Sequence, residues 1–273
     1  MNIAEILHLA YRQEVAFYKI GDIFRNLFAS GFSFKRFFAG ILAIIECFGC
    51  VLFDTPVTPD GAALDLSGYE LVLEDNFDGD ELNLDIWEHR GPGARRSGFN
   101  GESQAKVRDG NLYLTGEYLE DGKYGAGWYG GMIALKDHPC KGYFEIRCIC
   151  SDSDDFWSAF WIQALSGPYD HDISKGGVGG AEIDIFEAMS ADKKLKANRE
   201  AVTSTIHCNG WDDDVENIDS RCVGDFKVGR DIYDEYNTYG LEWTEDEYIF
   251  YINGVETART SYENGTCDVN EEV

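Results

Sequence analysis

An all-β fold, a sandwich or a closed barrel, is predicted from about residue 61 onward. Two observations predict it. Short segments of alternating apolar and polar residues recur between Gly-rich turns. No stretch of useful length after residue 60 carries helical periodicity. The first 60 residues read differently, as an N-terminal extension.

Residues 1–36 mix apolar and basic side chains, as in short amphipathic helices broken near Gly21 and Gly31. Lys35-Arg36 then precede the apolar run Phe37 to Phe53, interrupted only by Glu46. A basic flank before an apolar run is the pattern of a signal peptide or signal anchor. The run is at the short edge of what spans a bilayer, and Glu46 is costly there. The alternative is a soluble helical extension. The reading adopted is export or membrane anchoring through residues 37–53, with the following domain outside. Asp54 to Gly61 holds two of the five prolines and reads as a linker. The domain assignment is therefore 1–60 for the extension and 61–273 for the globular part.

Within that part, Tyr69–Leu73 is a strand candidate, and Asp75-Asn76-Phe77-Asp78-Gly79 a turn. Asn111–Thr115 follows the turn at Asp109-Gly110. Gly142–Cys148 alternates well: Phe144, Ile146 and Cys148 face one way, Glu145 and Arg147 the other. Tyr239–Thr244 and Glu247–Asn253 form a hairpin pair, and Asn253-Gly254 signals a tight turn after it.

Composition excludes some functions. The net charge of -27 argues against nucleic acid as a partner, because phosphates require Lys and Arg. Aromatic residues make up 14% of the chain, enough for a β-rich core or for a surface on which sugars stack. The eight cysteines show no metal-ligand spacing. Cys148 and Cys150 fall on one strand face as core residues. Cys208 and Cys222 bracket an acidic loop that a disulfide would staple in an oxidising compartment.

The most informative stretch is Ala181-Glu182-Ile183-Asp184-Ile185-Phe186-Glu187-Ala188. At period two, Glu182 and Asp184 share one face and Ile183 and Ile185 the other. Glu187 then falls on the apolar face unless one residue is inserted. A β-bulge at Ile185-Phe186 returns it to the acidic face. Alone, this stretch is either a solvated acidic strand or an active site. A second strand, Phe156–Gln163, places Trp157, Ala159, Trp161 and Gln163 on one face and Phe156, Phe160 and Ile162 on the other. Two Trp four residues apart stand roughly 13 Å apart, a spacing for successive sugar rings. A carboxylate pair beside stacking aromatics suits glycoside hydrolysis, in which retaining enzymes hold the two groups about 5–5.5 Å apart.

Glu182-x-Asp184-x-x-Glu187 resembles the catalytic signature of glycoside hydrolase family 16 in its bulged, laminarinase-like form. Other segments match in order: Asp75 to Trp87, Asn100-x-Glu102-x-Gln104, Gly131-Met-Ile133, Lys141 to Arg147, Trp157 to Trp161, Thr205-Ile-His207, and Tyr239 to Trp243. The resemblance covers about residues 65–260. It implies a concanavalin-like jelly-roll sandwich with a concave substrate cleft and no cofactor. It makes Glu182 the nucleophile, Glu187 the acid/base and Asp184 the assisting acid. Trp157 and Trp161 would line the cleft, with Asn100, Glu102, Arg147, His207 and Trp211 as further contacts. The implied enzyme is a monomeric, retaining endo-β-1,3- or mixed-linkage glucanase acting on β-glucan. Alternatives on the same fold are a galactanase, a transglycosylase and a non-catalytic glucan-binding protein. Ser158 and Asn76 depart from the family's Pro and Glu. The second change argues against a structural calcium, and no metal site is expected. The chain ends at Val273, before the last strands that family members carry, so a sandwich lacking them is expected.

Overall fold

The computed structural model describes residues 56–137, 139, 141–153, 156–163, 181–189, 199–208 and 219–260. By internal contact the chain divides into Met1–Val57 and Thr58–Val273, and the strands belong to the second unit. The apolar run 37–53 and Trp211 lie outside the described residues.

Among the described residues sixteen strands follow one another: β1 Trp87–His89, β2 Gly93–Arg95, β3 Gly98–Asn100, β4 Ala105–Arg108, β5 Asn111–Leu114, β6 Gly116–Leu119, β7 Gly127–Gly130, β8 Ile133–Leu135, β9 Gly142–Cys148, β10 Trp157–Gln163, β11 Ala181–Met189, β12 Ala201–Cys208, β13 Asp219–Lys227, β14 Asn237–Trp243, β15 Tyr248–Ile252 and β16 Val255–Thr260. Among the described residues, one 3₁₀ turn, Glu102–Gln104, is the only helical element. The two Gly-containing turns behave as expected. Asp109 and Gly110 both have positive φ (52° and 67°), as do Asn253 and Gly254 (48° and 74°). That is the type I′ requirement, which matches the twist of the strands it joins.

Two antiparallel sheets build the core. One has the order β10-β11-β12-β13, the other β16-β15-β14-β9. Ile183, Phe186, Val202, Ile206 and Phe226 of the first sheet meet Tyr239, Leu241, Trp243, Tyr248, Phe250 and Ile252 of the second. The closest ring pair across the sheets is Phe186 against Tyr239, with centroids 3.8 Å apart and planes 21° from parallel. Such stacking adds about 0.5–1.5 kcal/mol beyond the area buried. A further sheet, β2-β3-β7-β6, and the pairs β1-β8 and β4-β5 complete the described fold.

Three expectations need correction. Tyr69–Leu73 forms no strand and joins no sheet, and Leu71 and Val72 are 75% and 90% exposed. Its residues favour strands, but strand propensity acts only where a partner edge is available. Phe156 precedes β10 and does not share the apolar face of Phe160 and Ile162. It packs edge-on to Trp128, with centroids 5.9 Å apart. The Cys208–Cys222 staple is excluded by register: Cys208 is opposite Asp219, and Cys222 is opposite Thr205. Three residues of offset separate the two Cα atoms by roughly 10 Å, beyond the reach of a disulfide. Cys148 and Cys150 are free thiols in the core cluster, as their alternation predicts.

Candidate active site

The acidic strand is β11, and its irregularity is the expected bulge. Against β12, Asp184 pairs with Thr205 and Glu187 with Thr203, so Ile185 and Phe186 together oppose Ser204. Against β10, Phe186 pairs with Phe160 and Asp184 with Trp161, again leaving Ile185 over. The buried Ser204 hydroxyl donates to the Ile185 carbonyl at 2.8 Å and satisfies the group that the bulge removes from the ladder. Ile183, Ile185, Phe186 and Ala188 all enter the core cluster. Glu182, Asp184 and Glu187 therefore share the opposite face, which also carries Trp157, Trp161 and Gln163 of β10.

Each carboxylate has a distinct environment. Glu182 accepts a 2.7 Å hydrogen bond from Gln163 Nε2, its partner across the ladder. Asp184 is 3% exposed, and burial raises its pKa. His207 Nε2 stands 3.2 Å from its Oδ2 and offsets part of that rise. Glu187 is 8% exposed, and its pKa is pushed up to about 8. Burial is the largest cause, followed by the charges of Asp184 and Glu182, while a hydrogen bond from Trp157 and the charge of Arg96 act the other way. This matches the general pattern by which an apolar site and like-charged neighbours keep a carboxylic acid protonated near neutrality.

Two arginines complete the site, and the sequence reading missed both. The Arg90 guanidinium lies 4.3 Å from the Trp161 ring centroid, and that of Arg96 lies 5.0 Å from Trp157. Arg90 follows β1, and Arg96 turns between β2 and β3 with a φ of 51°. Neither has a local signal, because each reaches the site only through tertiary folding. Gln163 was legible as a member of the Trp face, though not as a partner of Glu182.

The other named residues divide. His207 sits beside Asp184. Asn100 braces the approach: its amide donates to the carbonyls of Arg90 and Gly91, each at 3.2 Å. Glu102 is engaged by Lys123 at 2.6 Å and Tyr124 at 3.0 Å, and Lys123 holds its pKa down at about 2. Arg147 is not brought to the site. It projects from β9 away from the core face of Phe144 and Ile146, and covers Tyr236 with 3.9 Å to the ring centroid. Alternation put Arg147 opposite the core correctly, but the outer face of β9 belongs to the other sheet.

Among the described residues, Glu182, Asp184 and His207 are the one group of donor atoms lying within 4.8 Å of one another. Their partners suit proton and charge management, and no cation is assigned to them.

The sequence model of the beta-porphyranase A–D GH16 domain matches residues 71–272. The chain belongs to glycoside hydrolase family 16. A curated relative, glucan endo-1,3-beta-glucosidase A1 of Niallia circulans, is 24% identical over 221 residues, covering 72% of this chain and 30% of the relative. The chain spans less than a third of the length of each curated relative it matches. Porphyranase B from Zobellia galactanivorans superposes with a TM-score of 0.58 at 20% identity, covering 72% of this chain and 75% of that one. The laminarinase catalytic domain of Thermotoga maritima gives a TM-score of 0.51 at 20% identity, covering 70% and 77%. These likenesses establish the family's jelly-roll sandwich for the GH16 domain.

Proposed function

We propose that this GH16 domain is a retaining endo-glycosidase that cleaves β-1,3- or mixed β-1,3/1,4-glucan by double displacement. The observation that carries the reading is the bulge of β11. It puts Glu187, a carboxylic acid with a pKa near 8, on the same face as Glu182, whose carboxylate is held by Gln163. The names of the curated relatives, a glucan endo-1,3-beta-glucosidase and an endo-1,3-1,4-beta-glycanase, support the choice of glucan.

At pH 7 a carboxyl with a pKa near 8 is about 90% protonated. Glu187 then donates its proton to the glycosidic oxygen as Glu182 attacks the anomeric carbon. The leaving saccharide departs, and Glu182 becomes an ester and loses its negative charge. One of the charges that raised the Glu187 pKa has then gone. With that repulsion relieved the Glu187 pKa falls, so Glu187 stays ionised after giving up its proton and is in place to take a proton from the incoming water. That water frees Glu182 with net retention. Asp184, buried beside His207, keeps its position between the two glutamates. Trp157 and Trp161 offer ring surface to the sugars.

Assay of Glu182→Gln and Glu187→Gln on laminarin tests the reading. Both should lose at least a thousandfold in kcat/KM, and wild-type product should first appear as the β-anomer by NMR. Full activity in Glu182→Gln would remove the nucleophile assignment. Binding of laminarin without new reducing ends would favour a non-catalytic glucan-binding protein, and longer products would favour a transglycosylase.

A second reading has its own support. Two guanidinium groups over the site's Trp rings suit a polymer bearing anionic groups, and the family model is named for porphyranases. On that reading the substrate is a porphyran-type galactan, and parallel assays on laminarin and porphyran separate the two. We also propose that the protein is exported or anchored through residues 37–53 and acts as a monomer outside the membrane. The basic flank and apolar run support the first part. Fractionation of the full chain tests it.

A further inference from the structure

We infer that Arg90 and Gln163 form a relay that positions Glu182, with Arg90 fixing the orientation of the Gln163 amide and Gln163 fixing the carboxylate. The inference rests on the reading of Glu182 as the nucleophile.

The relay is built from three elements. Gln163, the last residue of β10, is directly opposite Glu182 in the ladder. Side chains so placed lie within about 5 Å at Cβ and interact directly. The Gln163 amide gives Nε2–H to Glu182 Oε2 at 2.7 Å and takes a hydrogen bond on Oε1 from Arg90 Nη2. A glutamine amide has two orientations, and its neighbours decide between them. Here the reversed orientation would set Oε1 against the carboxylate and the NH₂ against the guanidinium. Both contacts would be repulsive. Arg90 carries only donors, so it permits one orientation, the one that offers N–H to Glu182.

Arg90 is itself anchored. Its backbone N–H donates to Met132 O at 3.0 Å, its carbonyl accepts from Asn100, and its guanidinium rests on Trp161. Burial and then the charge of Arg95 lower its pKa, and the charges of Glu182 and Glu88 act the other way. The relay therefore does two things. It restricts rotation of the Glu182 carboxylate, and it brings a positive charge toward that carboxylate through a polarised amide. A charge-assisted hydrogen bond of this kind is roughly twice as strong as a neutral one. Asn100 gains a role too, as the brace of the segment that carries Arg90.

Other titratable groups face Glu182. Asp184 and Glu187 lie on its own strand, and His207 of β12 is its ladder partner on the other side.

The test uses the full chain with Gln163→Leu, Arg90→Leu and the double variant, with urea midpoints recorded to show that each is folded. Gln163→Met serves as a second variant, since it keeps the length of the side chain and removes the donor without adding a charge. Two readouts are taken: kcat and KM on laminarin, and the pKa of Glu182 from ¹³C-carboxyl NMR, assigned with Glu182→Gln. Gln163→Leu should lower kcat tenfold to a hundredfold, change KM less than threefold, and raise the Glu182 pKa by about one unit. Arg90→Leu should act in the same direction, and the double variant should be no worse than Gln163→Leu. Rescue by Arg90→Lys should be partial. An unchanged Glu182 pKa in both Gln163 variants overturns the relay, as does strict additivity of the two Leu substitutions. A loss confined to KM also overturns it and makes the pair substrate contacts. The nucleophile reading fails separately: it falls if Glu182→Gln stays active, whereas an inactive Glu182→Gln beside a normal Gln163→Leu removes the relay alone.

Discussion

Ser204 Oγ donates to the carbonyl of Ile185 at 2.8 Å, and Ile185 is the residue of β11 that finds no register partner on either neighbouring strand. The bond joins the bulge to β12 at the point where the ladder is interrupted. Ser204 is 1% exposed, so no water stands ready to replace it. Ser204→Ala should therefore destabilise the fold by about 1–3 kcal/mol, the cost of an unsatisfied buried group. Because the bulge aims Glu187, activity should fall further than stability alone explains. Urea denaturation and kcat/KM at a temperature where the variant is fully folded separate the two effects.

Glu187 gives a pH prediction whose sign is fixed by its raised pKa. An ordinary unfolded Glu ionises near 4.5, and this one in the fold near 8. Below the first value both states hold the proton, and folding is indifferent to pH. Between the two, only the folded state holds it, so stability falls as pH rises. Above about 8 the loss is complete. Glu187→Gln removes the ionisation, so the variant should match wild type at pH 4 and exceed it at pH 8 by an amount on the order of a few kcal/mol. Urea midpoints at the two pH values check this. The same proton sets the alkaline limb of activity, and wild-type kcat/KM should decline as pH passes about 8. A flat profile through that region would contradict the acid role.

Much of the site could be read from the chain because its signals are local. Gly142–Cys148 alternates without a break and forms β9 with those bounds. Two consecutive apolar residues between Asp184 and Glu187 announced the bulge, since a strict period of two would have buried a charge. Other features needed the whole fold. Arg90 and Arg96 come from short turns with no periodicity, and the sheet they lean over is formed about 70 residues later. Tyr69–Leu73 has strand-forming residues but no described edge to pair with. Arg147 was placed correctly relative to its own strand. Which of two sheets lies under the substrate is not encoded in seven residues.

The two site tryptophans should differ in their response to truncation. Trp161 is intermediate in exposure and supports Arg90, whereas Trp157 is 43% exposed and donates to Glu187. Trp161→Ala should raise KM on laminarin roughly tenfold, equivalent to about 1.4 kcal/mol of lost stacking. It should also lower kcat, because Arg90 loses its platform. Trp157→Ala should raise KM similarly but also move the alkaline limb upward. Its hydrogen bond lowers the Glu187 pKa, and removing it lets that pKa rise. Steady-state kinetics from pH 5 to 9 would show the contrast, and identical profiles for the two variants would contradict it.

Gly130 and Gly131 are neighbours with opposite demands. A methyl group at Gly131 would stand 2.5 Å from the Gln104 carbonyl oxygen and 3.2 Å from the Leu114 Cα. Both are backbone atoms and cannot swing aside, and the Gly131 amide is already bound to Thr115 O at 3.1 Å. Gly131→Ala should destabilise the domain by about 1–3 kcal/mol through overpacking. At Gly130 nothing lies within 4 Å of the added carbon, and its φ is not in the left-handed region. Gly130→Ala should be neutral or stabilise by up to about 1 kcal/mol, because the unfolded chain loses freedom that the fold never used. Thermal melts of the two variants should shift in opposite directions from wild type. Equal shifts would mean that the close approach of Gly131 to the Gln104 backbone does not limit this part of the sandwich.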